Sequence, residues 1–268
     1  MRLSIITINY NNKSGLQKTI ESVVAQTYKD FEYIVIDGGS NDGSFNVIKD
    51  YEKKISYWVS EKDSGIYNAM NKGIVQAKGK FCLFLNSGDW LVDRDILDRV
   101  FSLKSEEDIV YGNILKVYSA TKIECDKAPQ RSVLTLADMF FSTLNHPSTF
   151  IKRRLFDEYG LYNEEYQIVS DWAFFLKVIG VYNVSVKYID VDISCYDMTG
   201  VSSSNGKLVR QERETELKKT LPGRVYKDYQ QMAEYRWKAR TYDKIVSQKP
   251  LWYLMSIYNK LFGYILWK

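Results

Sequence analysis

The sequence predicts an α/β protein: a mixed, mostly parallel sheet flanked by helices, with a helical C-terminal extension. Three observations carry this. The first hundred residues alternate between short apolar runs of strand length and segments whose apolar positions recur at helical spacing, the pattern of successive βα units. Each apolar run is stopped by small and polar residues. A chain of 268 residues that is 45% hydrophobic can also bury one large core.

In chain order, "LSIITINY" reads as the first strand. Asn12 or Ser14 can cap a helix whose Leu16, Ile20, Val23 and Val24 share one face. "FEYIVID" is the second strand, stopped by the turn-rich "GGSNDGS". A helix follows around Phe45 to Tyr51, then "ISYWVS" as the third strand, a helix around Ile66 to Ala77, and "KFCLFL" as the fourth strand. Connections this short predict right-handed crossovers. Beyond Trp90 the pattern loosens to α+β. "DIVYGNILKVY" reads as a strand, "TLADMFFST" as a short helix, "PSTFIKR" as a strand, "SDWAFFLKVIG" as a helix, and "VYNVSVKYIDVDISCYD" as a long strand pair extending the same sheet. From about Asn205 the chain turns helical and basic.

These shifts predict one domain over residues 1–204, in halves 1–104 and 105–204, and an extension over 205–268. The formal charge of +4 is unevenly placed, since residues 206–268 carry 14 Lys and Arg against 6 Asp and Glu. Cys82, Cys125 and Cys195 are widely spaced and odd in number, which argues against a disulfide framework or a CxxC zinc site and fits a reducing compartment. A single histidine, His146, excludes sites that need several imidazoles. A metal would therefore be held by oxygen ligands, which favours Mg²⁺ or Mn²⁺. "MRLSIITINY" is too short and too polar for a signal peptide, so the expectation is the buried first strand of a cytoplasmic protein.

In sheets of this kind ligands bind beyond the carboxyl ends of the strands. Polar residues stand at all four expected tips: Asn9 to Asn11, Asp37 to Ser40, Glu61 with Asp63, and Asn86 to Asp89.

The order "TINYNN", "VIDGGSNDGS", "EKDSGIYNAMNKGIVQAKGKF", "FLNSGD" and "SDWAFFLK" resembles the inverting glycosyltransferases of family two, with their GT-A, Rossmann-like fold. The subgroup it most resembles is the bacterial one that builds surface polysaccharides. The match spans residues 1 to 200 or so, and "GIYNAMNKG" to "LNSGD" is its most specific part. The resemblance implies a nucleotide-sugar donor, with a UDP-sugar favoured, a divalent cation and direct displacement at the anomeric carbon. It also makes 1–104 the nucleotide-binding half and 105–204 the acceptor half.

Asp89 aligns with the carboxylate that touches the metal in relatives. A diphosphate leaving group gathers negative charge, and the cation that meets it needs an anchor. Where relatives carry two or three acids, this chain has Asn86 and Gly88; Asp89 as a simple cap is the alternative. Asp37 resembles the carboxylate that accepts a hydrogen bond from the donor base, and it equally suits an Asx-turn opening "DGGS". Thr7, Asn9, Asp63 and Asn86 resemble other nucleotide-sugar contacts. Asn71 and Gly73 lie mid-helix, where propensity favours neither. That points to close packing or a ligand nearby, and the resemblance implies that Asn71 positions its helix beside the donor.

Asp171, in "VSDWAFF", is the candidate general base, opening a helix whose Trp172, Phe174 and Phe175 pack inward. A carboxylate at a helix N-terminus stays ionised and can take the proton of an acceptor hydroxyl. Ser170 and Asp171 are also good caps. His146 and Trp172 fall on the acceptor side, although a histidine before a proline can be a plain turn residue.

The reading is an inverting, metal-dependent glycosyltransferase acting on a glycan or lipid-linked acceptor in bacterial cell-surface polysaccharide biosynthesis. The reduced acid count leaves a non-catalytic, nucleotide-binding scaffold of a glycan assembly complex as the alternative. No GxGxxG follows the first strand, which argues against a dinucleotide-dependent oxidoreductase. Basic residues cluster among tryptophans and leucines rather than along a groove-reading motif, which argues against nucleic acid. "TGVSSSN", Thr199 to Asn205, reads as a flap over the donor phosphates. The closing "PLWYLMSIYNKLFGYILWK" is interrupted by Asn259 and Lys260, short of the roughly 20 apolar residues of a spanning helix. Its aromatics suit peripheral contact with the inner face of the cell membrane, docking on the protein's own core, or a dimer seam.

Overall fold

The computed structural model of the chain describes residues 1–119, 121–130, 133–198 and 205–246. The chain divides into two compact units, Met1–Glu216 and Leu217–Lys268. The elements in order are β1 (Leu3–Asn9), α1 (Lys13–Val24), β2 (Phe31–Asp37), α2 (Ser44–Asp50), β3 (Tyr57–Ser60), α3 (Ile66–Gln76), β4 (Phe81–Phe84), β5 (Trp90–Leu91) and α4 (Ile96–Ser102). There follow β6 (Ile109–Ser119), β7 (Lys122–Asp126), α5 (Leu136–Phe141), β8 (Thr149–Lys152), α6 (Arg154–Tyr159), α7 (Ser170–Phe175), β9 (Val186–Asp197), α8 (Gly206–Thr220) and α9 (Gly223–Val246).

Among the described residues, nine strands form one sheet in the order β3-β2-β1-β4-β8-β6-β9-β5, with β7 beside β6. β1 is parallel to β2 and β4, and β2 to β3, while the second half is largely antiparallel except where β6 meets β9. β1 is buried along its whole length and β2 almost so. Strands covered on both faces read as near-continuous apolar runs, here broken only by Ser4, Thr7 and Glu32, which is why both were plain in the sequence. α1 buries Leu16, Ile20 and Val23, and Asn12 caps it by accepting from the Gly15 N–H at 3.1 Å.

Gly73 sits in α3 because the helix rides close on β1. A Cβ added there would stand 2.4 Å from Cγ2 of Ile6. Close packing thus accounts for a mid-helix glycine that costs about 1 kcal/mol of propensity.

Two expectations are corrected. The expected strand pair over "VYNVSVKYIDVDISCYD" is one strand, β9, whose register against β6 slips between Tyr111 and Asn113 and again between Asn113 and Ile114. The segment holds no Gly or Pro to turn the chain, so the surplus residues are absorbed as bulges. The helix expected over "SDWAFFLKVIG" is α-helical only through Phe175 and continues as a π-helical turn, Leu176–Val181. Residues 199–204 of the expected flap, and the aromatic run from 247 onward, lie outside the described residues. Among those described, no helix is long and apolar enough to cross a membrane.

The strand order reverses beside β1, with β2 on one flank and β4 on the other. Such a reversal opens a crevice at the carboxyl ends of the two diverging strands.

Candidate active site

A cavity of about 1020 Å³ occupies that crevice. Of the residues expected at the site, Asn9, Asp63, Asn86, Asp89, His146, Asp171 and Trp172 line it. Thr7, Asp37 and Asn71 do not.

The β4 tip is shaped by its seat on α1. Gly88 adopts φ +108°, a left-handed value that a side chain would resist. The Thr19 hydroxyl donates to the Asp89 carbonyl at 2.7 Å, and the Gly88 N–H donates to that hydroxyl at 3.0 Å. Asn12 Nδ2 donates to the Ser87 carbonyl at 2.9 Å. Held in this way, the Asp89 side chain is 4% exposed. Its Oδ1 accepts from the Asp197 N–H at 3.2 Å, while its Oδ2 is buried with no hydrogen-bond partner among the described residues.

Burial pushes the Asp89 carboxyl up to about 7 against the opposing pull of His146 and of the Asp197 and Asn86 N–H groups. A divalent cation of the kind the fold family implies fits here. It would occupy the orphaned oxygen and favour the charged form. Among the described residues no three His, Cys, Asp or Glu side chains gather as a metal cage, so Asp89 could hold a cation only together with ligand oxygens.

The residues outside the lining are committed elsewhere. Asp37 accepts from Asn9 Nδ2 (2.7 Å), Ser40 Oγ (2.5 Å), the Ser40 N–H (3.0 Å) and Ser60 Oγ (2.6 Å). A carboxylate has about four acceptor sites, and these donors take them. Burial works to raise its pKa, but the hydroxyls of Ser40 and Ser60 and the Asn9 amide bring it below the ordinary value. The turn role that the sequence allowed for Asp37 is therefore occupied. Thr7 shares a 3.0 Å hydrogen bond with the Tyr33 hydroxyl inside the core. Asn71 ties α3 to the loop after α6, donating to the Tyr162 carbonyl at 2.9 Å and accepting from the Tyr162 N–H at 3.0 Å.

At the far wall Asp171 opens α7, and its oxygens have one side-chain donor each. The Tyr67 hydroxyl donates to Oδ1 and His146 Nδ1 to Oδ2, both at 3.0 Å. Asn86 Nδ2 meets the other ring nitrogen, Nε2, at 3.1 Å, so His146 spans the gap between the β4 tip and α7. Burial acts to raise the Asp171 carboxyl, yet the His146 hydrogen bond and charge, the Trp172 N–H and the Tyr67 hydroxyl leave it below its ordinary value. Two aspartates far apart in the sequence thus face one cavity in opposite states, one starved of donors and one well supplied.

Sequence reasoning missed several participants. Tyr67, which the sequence could equally place in the core, has a buried ring, and its hydroxyl lies 2.6 Å from the Ile168 carbonyl as well, so one proton is shared between that carbonyl and Asp171. Glu212 on α8 accepts from the N–H groups of Gln167 (2.7 Å), Ile168 (3.0 Å) and Val169 (3.2 Å), which fixes the loop that leads into α7. Arg213, beside it, lines the cavity. Both lie in "RQERETELKK", which carries no signal beyond that of a solvated helix.

Comparison with known proteins follows this geometry. The family model described as Glycosyl transferase family 2 matches residues 4–156. A PGL/p-HBAD biosynthesis glycosyltransferase of Mycobacterium bovis is 29% identical over 203 residues, which cover 74% of this chain and 77% of the relative. S. aureus TarS 1-349, solved in complex with UDP-GlcNAc, shares the fold with a TM-score of 0.63 at 19% identity, over 85% of this chain and 70% of that one. The mannosyltransferase PcManGT from Pyrobaculum calidifontis, solved with GDP-Man and Mn²⁺, gives 0.56 at 16% identity, over 80% and 60%. At these identities the two structures speak to the fold, and they match the GT-A arrangement expected from the sequence.

Proposed function

The chain belongs to glycosyl transferase family 2, and from that premise we propose that it moves a sugar, with inversion, from a nucleotide-sugar to a glycan or lipid-linked acceptor. A UDP-sugar is the favoured donor, in keeping with the TarS complex, and bacterial cell-surface polysaccharide biosynthesis is the setting. The observation that carries the reading is the pairing of Asp89 and Asp171 across one cavity in opposite protonation tendencies.

Asp171 acts as the base. Tyr67, His146 and the Trp172 N–H take three of its four acceptor sites, and with the remaining lone pair it takes the proton of the acceptor hydroxyl. The freed oxygen forms the bond to the anomeric carbon as the bond to the diphosphate breaks, and the electron pair leaves with the nucleoside diphosphate. Single displacement on an α-linked donor yields a β-linkage. Asn9 and Asp63 face the nucleotide; Thr7, Asp37 and Asn71 support the donor wall from behind. Asp89 Oδ2, with Asn86 beside it, would hold Mg²⁺ or Mn²⁺, whose charge offsets that of the departing diphosphate. A lipid-linked acceptor gives the basic C-terminal segment a use at the inner membrane face, and Tyr235, Trp237 and Tyr242 are exposed on α9.

The test is Asp171→Asn with a UDP-sugar panel and Mn²⁺. Transfer or donor hydrolysis should fall by about a hundredfold or more while UDP still raises the melting temperature. Near-normal turnover in the folded variant rules out Asp171 as the base. Binding without turnover in the unaltered chain would instead indicate the scaffold reading.

A further inference from the structure

We propose that Arg213 recognises an anionic group, phosphate or carboxylate, on the acceptor close to its reacting hydroxyl. The inference rests on Asp171 being the base, because it takes the side of the cavity next to Asp171 as the acceptor side.

The Arg213 guanidinium carbon stands 4.5 Å from the centroid of the Trp172 ring, on the residue that follows Asp171. One N–H is used, with Nη2 donating to the Ser142 carbonyl at 3.2 Å. Nε is buried with no partner among the described residues. A guanidinium has five donors in a planar fork, and stacking on an aromatic face leaves the edge of that fork free for an oxyanion. A partly buried cation whose donors go unused is unfavourable until an anion meets it.

The fork is also fixed in place. Glu212, its neighbour on α8, holds the three N–H groups of the loop entering α7. Tyr166, at the start of that loop, donates to Glu216 at 2.8 Å. Arg213 and Asp171 are therefore clamped to one piece of backbone.

The guanidinium lies over Trp172 on the α7 wall, and the carboxylate that acts on it is the adjacent Asp171, whereas Asp89 lies at the β4 tip, seated on α1. The unused guanidinium edge thus belongs with the incoming hydroxyl rather than with the leaving diphosphate. Its placement selects acceptors with an oxyanion near the attacking oxygen, whether the phosphate of a carrier or the carboxylate of an acidic sugar.

Calorimetric titration of the full chain tests this, with and without saturating UDP and Mn²⁺. The probes are phenyl phosphate, phenyl β-glucuronide and the neutral phenyl β-glucoside. One of the two anions should bind, and which one does separates the phosphate source from the carboxylate source. Arg213→Met should weaken that anion about ten- to a hundredfold, with UDP affinity held within about twofold, the scatter expected of a residue that does not touch the ligand. Arg213→Lys keeps the charge without the fork and should lie between, which covers the case of a poorly folded methionine variant. The proposal is overturned if the unaltered chain binds neither anion, if the glucoside binds as tightly, or if Arg213→Lys and Arg213→Met leave anion binding unchanged. It is equally overturned if Arg213→Met weakens UDP itself, which would put the guanidinium on the donor. Failure of the base assignment shows up elsewhere, as normal transfer by Asp171→Asn, and leaves these affinities standing.

Discussion

Replacing Asp89 by asparagine should make the metal-free protein more stable at pH 8. The carboxyl is pushed up from 3.8 to about 7. Between those values the folded chain binds more protons than the unfolded chain, so stability from this group falls as pH rises through the window. At about 1.4 kcal/mol per pH unit the full cost is about 4 kcal/mol at most, reached above pH 7. Asparagine removes the charge and keeps the shape, but it sets an NH₂ where Oδ2 already lacks a partner. That costs about 1–3 kcal/mol. The charge term wins at pH 8, for a net gain of about 1–3 kcal/mol, and vanishes only well below the unfolded value of 3.8, where Asp89 is protonated in both states. Urea unfolding of both proteins in EDTA at pH 5 and pH 8 measures the difference. Mn²⁺ with UDP should then stabilise the unaltered chain and leave Asp89→Asn nearly unmoved. Equal stability differences at the two pH values would refute the reasoning about burial.

Tyr67→Phe removes a donor that holds the Asp171 carboxyl down, so that carboxyl should rise and the acid limb of kcat/KM should move to higher pH. An unmoved limb would count against Asp171 as the titrating base. The hydroxyl's one proton is shared with the Ile168 carbonyl, 2.6 Å away, and losing that shared bond should cost about 1 kcal/mol in urea. Gly73→Ala places a methyl 2.4 Å from Ile6 Cγ2, and overpacking of about 1–3 kcal/mol outweighs the propensity gain of about 1 kcal/mol. Adding Ile6→Leu, which deletes Cγ2, should recover most of the loss. A Gly73→Ala single variant as stable as the unaltered chain would show that α3 can lift away from β1.

The legible parts of the fold were those where one residue pattern admits one structure. β1 and β2 run between the same limits in sequence and structure because a strand covered on both faces is mostly apolar, and the polar residues inside these two, Ser4, Thr7 and Glu32, are buried as well. The cap of α1 was legible to within two residues, Asn12 or Ser14, since few other residue types close a helix N-terminus with a side-chain acceptor, and Asn12 is the one that does so. The site was harder, because its chemistry depends on which lone pairs and protons are already taken. Asp37, Asp89 and Asp171 are the same residue type, each at the edge of an apolar run. Four donors saturate Asp37, only backbone N–H groups reach Asp89 and leave its Oδ2 without a partner among the described residues, and Tyr67, His146 and the Trp172 N–H serve Asp171 while leaving one acceptor site open. Nothing in the spacing of "VIDGG", "NSGDW" or "VSDWA" encodes those counts. They are set by His146, which lies 25 residues from Asp171 and 60 from Asn86, and by Tyr67, which lies 104 residues from Asp171. The same holds for α8, whose charges look solvated until Glu212 is found holding a loop more than forty residues away. A carboxylate's role as pin, anchor or base is thus a property of its partners, and a change at Tyr67 should alter the chemistry of Asp171 with that aspartate left in place.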